Sequence, residues 1–233
     1  MQYMGSKNSI SEYIVPILQD EIEKNEIKCY VEPFVGGANI IDKIKCKKKI
    51  GIDIHEELIE LLKYTQNHEL PQTITEEEYY EVKKNKWKYE KWYLGFVGFC
   101  CSFGSKYFAG FARGNDKRDR VNEAKRNLER QNLKNIQFEC GNYDSISFKK
   151  ALIYCDPPYE GVKNYNSTEK FDKNKLIEWC LEEAKENIVY LSEYDIRHPN
   201  FKEVWSIQHY KSLGSGINLK SKKSIEKLYK VEI

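Results

Sequence analysis

The stretch Ile153–Gly161 reads IYCDPPYEG. An apolar run with the character of a buried strand ends at Asp156. It passes at once into Pro157 and Pro158, then Tyr159. Proline holds φ at about −65° and keeps the residue before it extended. Asp156 and Pro157 are therefore both held extended, and Tyr159 stands at a set offset. A carboxylate, a backbone carbonyl and an aromatic ring are pre-positioned where a strand opens to solvent. A plain strand-ending turn uses the same residue types, so the rest of the chain has to decide between the two.

A second constellation lies upstream. EPFVGGAN (Glu32–Asn39) sets Gly36 and Gly37 after a strand-like run, where glycine lets a ligand approach the backbone closely. Asp53 ends the next strand-like run, seventeen residues after Gly36. An acid in that place grips ribose hydroxyls in nucleotide-binding α/β folds. The third glycine of a dinucleotide fingerprint is missing, so adenosine carrying a small group fits better than a pyrophosphate. An ordinary tight turn followed by a capping aspartate is the competing account.

The elements that must hold these groups follow from periodicity. Residues 8–24 carry a helical apolar stripe, and Lys28–Phe34 reads as a strand. Val35–Ile44 reads as a glycine turn into a helix, Lys48–Ile54 as a strand and His55–Tyr64 as a helix. This is the opening of a doubly wound parallel sheet. The rhythm then breaks. A helix is expected over Glu76–Trp92, then an aperiodic aromatic and glycine-rich stretch, then a helix over Arg120–Asn132. Strands return at NIQFECG, ALIYCDPPY and NIVYLSE, with a helix over Lys173–Lys185 between the last two. Phe201–Ile207 and Ser224–Ile233 read as an antiparallel edge hairpin. The expected organisation is one α/β domain, 1–64 with 133–233, carrying a helical and loop insertion over 65–132.

Composition narrows the class. The chain has 233 residues and a net charge of +2, with no run long and apolar enough to span a membrane. Its N-terminal residues lack an apolar signal core. Seven cysteines without a C-x-x-C pair, with Cys29, Cys140 and Cys155 in apolar strand-like runs, fit reduced, buried thiols in a cytoplasmic protein. Four scattered histidines give a metal site no support. The charge is uneven, however: Lys83–Arg130 holds thirteen Lys/Arg against five Asp/Glu. That excess marks one face for a polyanion, or else a solvated helical surface.

Four pieces in order, YMGSK (Tyr3–Lys7), EPFVGGAN, GIDIH (Gly51–His55) and DPPY (Asp156–Tyr159), make the chain resemble the Dam-type (D12 class) DNA adenine-N6 methyltransferases in their short bacteriophage-like form. The stretch GFCCSFGSKYFAG resembles the corresponding region of phage members. One departure is visible: the family's F-x-G-x-G reads F-V-G-G-A here, with Ala38 for the second glycine and Gly37 as a neighbouring substitute.

The resemblance implies a Rossmann-like class I methyltransferase sheet, mostly parallel with a C-terminal antiparallel hairpin, using S-adenosyl-L-methionine. It implies that Tyr3 and Lys7 line the methionine end of that cofactor, with Lys7 near its carboxylate. Phe34 packs on the cofactor beside Gly36 and Gly37, Asp53 binds the ribose and Tyr143 neighbours the adenine. It assigns catalysis to Asp156, Pro157, Pro158 and Tyr159, with Asp156 also close to the cofactor. Asp156 and the Pro157 carbonyl would accept hydrogen bonds from the amino group of an adenine flipped out of DNA, and Tyr159 would stack on it.

The insertion would read DNA through Lys106, Arg113, Lys117, Arg118 and Arg120. Trp87 and Trp92 serve equally well as core residues. No membrane and no obligate protein partner is implied, and the expected location is the cytoplasm of a bacterial cell or phage-infected host. The alternatives are N-methylation of cytosine N4 or another amino group, a nicotinamide-dependent oxidoreductase, and a catalytically silent DNA-binding or decoy protein. Asp156, where cytosine-N4 enzymes carry Ser, argues against the first. Restriction evasion, a restriction partner and replication marking would all use the same residues.

Overall fold

Side chains along Ala151–Cys155 are all buried, yet they serve two different cores. Leu152 and Tyr154 join one apolar cluster; Ala151, Ile153 and Cys155 join another. That alternation is what a strand covered on both faces requires. The computed structural model describes residues 1, 5–114, 119–158, 171–211 and 222–233. Among them a seven-stranded sheet runs in the order β3-β2-β1-β4-β5-β7-β6. Its strands are β1 (Cys29–Glu32), β2 (Lys48–Asp53), β3 (Ile136–Cys140), β4 (Ala151–Cys155), β5 (Ile188–Glu193), β6 (Phe201–Lys211) and β7 (Lys222–Val231). The first five are parallel, and β7 joins β5 antiparallel, with β6 outside it. This is the mixed sheet expected for the Rossmann-like methyltransferase fold, and the C-terminal hairpin lies at the edge.

One face is covered by α1 (Ser11–Lys24) and α2 (Glu56–Thr65). Ile14, Leu18 and Ile22 on α1 and Leu58, Ile59, Leu61 and Leu62 on α2 are buried there. The helices between α2 and β3 in the chain pack into that same core: α3 (Glu76–Lys84), α4 (Lys91–Gly95) and α5 (Arg120–Glu129). The opposite face is covered by α6 (Lys173–Glu183), through Leu176 and Cys180. Among the described residues no helix is long and apolar enough to cross a membrane.

Two expected helices are not what forms. Residues 39–43 make turns only. The carbonyls a helix would need are taken by side chains: Gly37 and Ala38 O accept from Gln131 Nε2, Asn39 O from Lys43 Nζ and Ile41 O from Lys49 Nζ. The helix expected over Glu76–Trp92 stops at Lys84. Asn85 ends it, with its side-chain amide on Glu81 Oε1, in a run where Lys84 and Lys88 would repel at i,i+4. A short 3₁₀ turn, Lys86–Lys88, redirects the chain so that Trp92 stacks on Tyr64 of α2, ring centroids 3.7 Å apart. Trp92 is therefore a packing residue. Trp87 is 77 % exposed.

The aperiodic glycine stretch has a packing reason. A Cβ on Gly95 would lie 2.1 Å from the backbone oxygen of Glu57, and one on Gly98 would lie 2.4 Å from the Tyr107 ring. These glycines let α4 and the π-type turn after it (Phe96–Cys100) press against α2 and the loop carrying Tyr107. Of the cysteines in strand-like runs, Cys155 is buried and Cys29 half-buried, but Cys140 is exposed at the end of β3, against the expectation of a buried thiol.

Candidate active site

The strand order reverses direction between β1 and β4, and crevices for ligands open at the carboxyl ends of strands at such a point. Four acids stand at or just past those ends: Glu32 on β1, Asp53 on β2, Asp156 after β4 and Glu193 on β5. Glu32 accepts from Tyr30 Oη at 2.7 Å, and burial holds its carboxyl well above the usual range. Asp53 receives the Gly36 N–H at 3.1 Å and the His55 N–H at 2.9 Å. Burial raises its pKa, against those two backbone donors. The spacing read from the sequence thus becomes a direct contact between the glycine turn and the acid.

Gly36 has φ +46°. The next left-handed residue is Ala38, at φ +54°, and Gly37 is not among the positive-φ positions. The left-handed conformation beyond Gly36 therefore falls on Ala38 and not on Gly37. Alanine itself takes the strained conformation, held by the Gln131 bonds to the carbonyls of residues 37 and 38.

Phe34 and Tyr143, each assigned to the cofactor by the resemblance, lie against one another, their centroids 5.1 Å apart. Phe171 and Trp179 extend the cluster, at 5.9 Å from Phe34 and 5.3 Å from Tyr143 respectively. Sequence reasoning missed both. Ile54, beside Asp53, is a large apolar side chain left 67 % exposed. An apolar residue at a strand end carries no sequence signal of its own.

Asp156 follows Tyr154 by two and faces the same side of the sheet as α1. The 3₁₀ turn Lys7–Ile10, capped by Ser6 Oγ on the Asn8 N–H, precedes α1 and carries Lys7 there. The Lys7 ammonium is only 4 % exposed and lies 2.7 Å from Asp156 Oδ1 and 2.7 Å from Glu226 Oε1. Burial alone would lower the Lys7 pKa; the two carboxylates outweigh it and raise it. Burial pushes Asp156 up to about 6, Lys7 pulls it back, and Glu226 and Glu193 add to the rise. The family resemblance puts Lys7 near a cofactor carboxylate; the structure sets it between two acids of the chain itself. Glu226, on β7, carries no motif that would single it out in the sequence.

Pro157 is buried and Pro158 exposed just beyond Asp156. Tyr3 and Tyr159 lie outside the described residues, as do Lys117 and Arg118. In the insertion, Arg113 pairs with Glu76, Nε to Oε2 at 2.9 Å and Nη2 to Oε1 at 2.5 Å. Arg120 stands 6.0 Å from the ring of Phe103, which is 63 % exposed. Lys106 is exposed. The structure thus gathers Lys7, Phe34, Gly36, Asp53, Tyr143 and Asp156 at one end of the sheet, while Lys106, Arg113 and Arg120 lie on the segment between α2 and β3.

A profile of the D12 class N6 adenine-specific DNA methyltransferases matches residues 3–214. The chain is similar to the type II methyltransferase M.FokI of Planomicrobium okeanokoites, 23 % identical over 218 residues, covering 76 % of this chain and 32 % of that protein. It is also similar to the type II methyltransferase M.MjaIII of Methanocaldococcus jannaschii, 26 % identical over 214 residues, covering 75 % of this chain and 74 % of that protein. The chain therefore spans about a third of the first relative's length and about three quarters of the second's.

Proposed function

The chain belongs to the D12 class N6 adenine-specific DNA methyltransferase family, and we propose that it transfers a methyl group from S-adenosyl-L-methionine to N6 of an adenine flipped out of duplex DNA at a specific site. We read it as a Dam-type, short phage-like member, from the order of its four motifs. The observation that carries the function is Asp156: a largely shielded carboxylate at a strand end, stiffened by Pro157 and Pro158, on the same sheet edge as the Gly36–Asp53 contact.

The donor set fits the cofactor. The Asp53 carboxylate suits ribose hydroxyls, the Phe34 and Tyr143 rings and exposed Ile54 suit an adenine, and the turn at Gly36 and Gly37 admits close approach. With Lys7 charged, the Asp156–Lys7–Glu226 group carries one net negative charge, which suits a cation. When bound, S-adenosylmethionine supplies a methyl group made electrophilic by its sulfonium.

The residues of the chain act on the adenine. Its amino lone pair is delocalised into the ring. Asp156 and the Pro157 carbonyl accept the two amino hydrogens, favour a pyramidal nitrogen and fix its direction of approach. Tyr159 stacks on the extruded base. Pro158 keeps that turn rigid. The insertion, 65–132, is the target-recognition region, with Lys106, Arg113, Lys117, Arg118 and Arg120 meeting phosphates and the exposed Phe103 ring beside Arg120.

Incubation with labelled S-adenosylmethionine and mixed-sequence duplex, followed by nucleoside analysis, tests the reading. Label in N6-methyladenine is expected. Label in N4-methylcytosine, or binding of both ligands without transfer, would overturn it.

A further inference from the structure

Glu226 reaches the site only through the fold. It is the fifth residue of β7, a strand that pairs with β5 rather than with β4. Because β7 runs antiparallel, its N-terminal half lies beside the carboxyl end of β5, where Lys227 pairs with Glu193 in the ladder. Leu228 faces the α1 core, so Glu226, two residues before it, faces the same side as Lys7. Lys227 points the other way, toward Glu203 and the Tyr229 ring. The result is an ammonium between two carboxylates, all largely shielded from water, with side-chain exposures of 16 %, 4 % and 19 % for Glu226, Lys7 and Asp156. Burying a second acid beside a lysine that already has a partner carries a desolvation cost.

We propose that Glu226 is a positioning residue for methyl transfer: it anchors the Lys7 ammonium against Asp156 and keeps that cation from fully neutralising the Asp156 carboxylate. This rests on the role given to Asp156 under the proposed function. An ammonium paired with Asp156 alone would draw electron density away from the acceptor oxygen that must hold the adenine amino group. Shared with Glu226, it stays in place and leaves the group of three with one negative charge.

The neighbouring elements bring other polar groups toward Asp156. Glu32 on β1 is held toward its neutral form by burial, and the Tyr154 hydroxyl is bonded to Ser192 Oγ at 2.8 Å. Cys155 is a buried thiol kept protonated by burial, and Glu193 on β5 is paired with Lys173 at 3.4 Å. Lys7 and Glu226 are therefore the charges whose removal should act on Asp156 most directly, and in opposite senses.

The test is the pH dependence of kcat/KM for methyl transfer to an adenine-containing duplex, compared across variants. For Glu226→Gln the acidic limb should move to lower pH by about one unit, since a nearby negative charge has gone. For Lys7→Gln it should move up by at least as much. Glu226→Asp, which keeps the charge, should hold the parental midpoint with a lower plateau. Glu226→Ser carries the same expectation as the glutamine variant and stands in for it where that variant does not fold. An unmoved limb in a folded, charge-removed variant would overturn the proposal. So would failure of both charge-removed variants to fold, which would assign Glu226 a purely structural role. A parent that methylates no adenine would overturn the functional reading instead. An active parent, a silent Asp156→Asn and an unmoved Glu226→Gln limb would remove this inference alone.

Discussion

The carboxyl edge of the sheet and the inserted segment both pair acids with bases, and they do it under opposite conditions. Lys7 and Asp156 meet where water is nearly excluded. Arg113 and Glu76 meet on the surface, with the arginine side chain 74 % exposed. The same Coulomb attraction is strong and orienting in the first place and screened in the second. At the sheet edge, side chains are held by strand ends and a double proline, and their charges shift one another. In the insertion, backbone contact does the holding: Gly95 against Glu57, Gly98 against Tyr107. Substitutions at the edge should therefore change chemistry, and substitutions in the insertion should change either stability or salt-dependent binding.

The largest expected effect tests the edge. Asp156→Asn should lower the single-turnover rate at least about a hundredfold, on the order of 3 kcal/mol, because one preorganised acceptor is lost and a donor takes its place. The circular dichroism spectrum should be parental. Near-parental turnover would erase the distinction between the regions.

Gly95→Ala probes the insertion with a comparable energy and the opposite signature. A methyl group 2.1 Å from a backbone oxygen cannot be accommodated by rotating a side chain. The cost should reach the upper end of overpacking, about 3 kcal/mol, and lower the melting temperature by roughly 8 °C. A melting temperature within a degree or so of the parent would show that α4 does not press on α2 this closely.

The pH profile of the parent sharpens the comparison. In the proposed mechanism Asp156 works as a carboxylate, and its pKa is raised to about 6, chiefly by burial. Below that value it is protonated and cannot accept both ways. Activity expressed as kcat/KM should therefore fall as pH drops through about 6, where an ordinary aspartate would stay ionised to about 4. A limb near 4 would mean the edge is wetter than the structure has it.

Neutralising Arg113, Lys117 and Arg118 together should flatten the salt dependence of DNA binding, by roughly 0.9 in log–log slope for each phosphate that no longer meets a cation. Arg113→Gln alone should change the slope by less than that, because Glu76 competes for the guanidinium. An unchanged slope in the triple variant would move the DNA surface elsewhere.

Ala38→Gly should do least. Relief of left-handed strain is worth about 1–2 kcal/mol. The missing buried methyl group and the added freedom of the unfolded chain offset nearly all of that, at about 0.8 and 0.5–1 kcal/mol. Urea denaturation should find the variant within about 1 kcal/mol of the parent.

Local patterns carry much of this fold. Strand periodicity places β1, β2, β4 and β5, and the residues ending them include Asp53 and Asp156, because a strand's burial pattern and its terminating proline are properties of adjacent residues. The seventeen-residue spacing of Gly36 and Asp53 anticipates a contact, since a strand–turn unit of fixed geometry converts such spacing into distance.

The departures from local expectation share one cause. The helix expected after Gly37 loses to Gln131 and Lys49, which come from elsewhere in the chain and claim its carbonyls. The helix expected through Trp92 loses to a stack on Tyr64. Whether Ala38 can replace a glycine depends on Gln131, ninety-three residues away. Glu226 is invisible in the sequence for the same reason: only the antiparallel seating of β7 beside β5 brings it to Lys7. Which segments become strands, and which acids end them, is written in the residues themselves, because φ restriction and burial act over a few neighbours. Which charges face each other, and which backbone groups are already taken, is settled only when the chain folds up, because both depend on strand order and direction that no local pattern encodes.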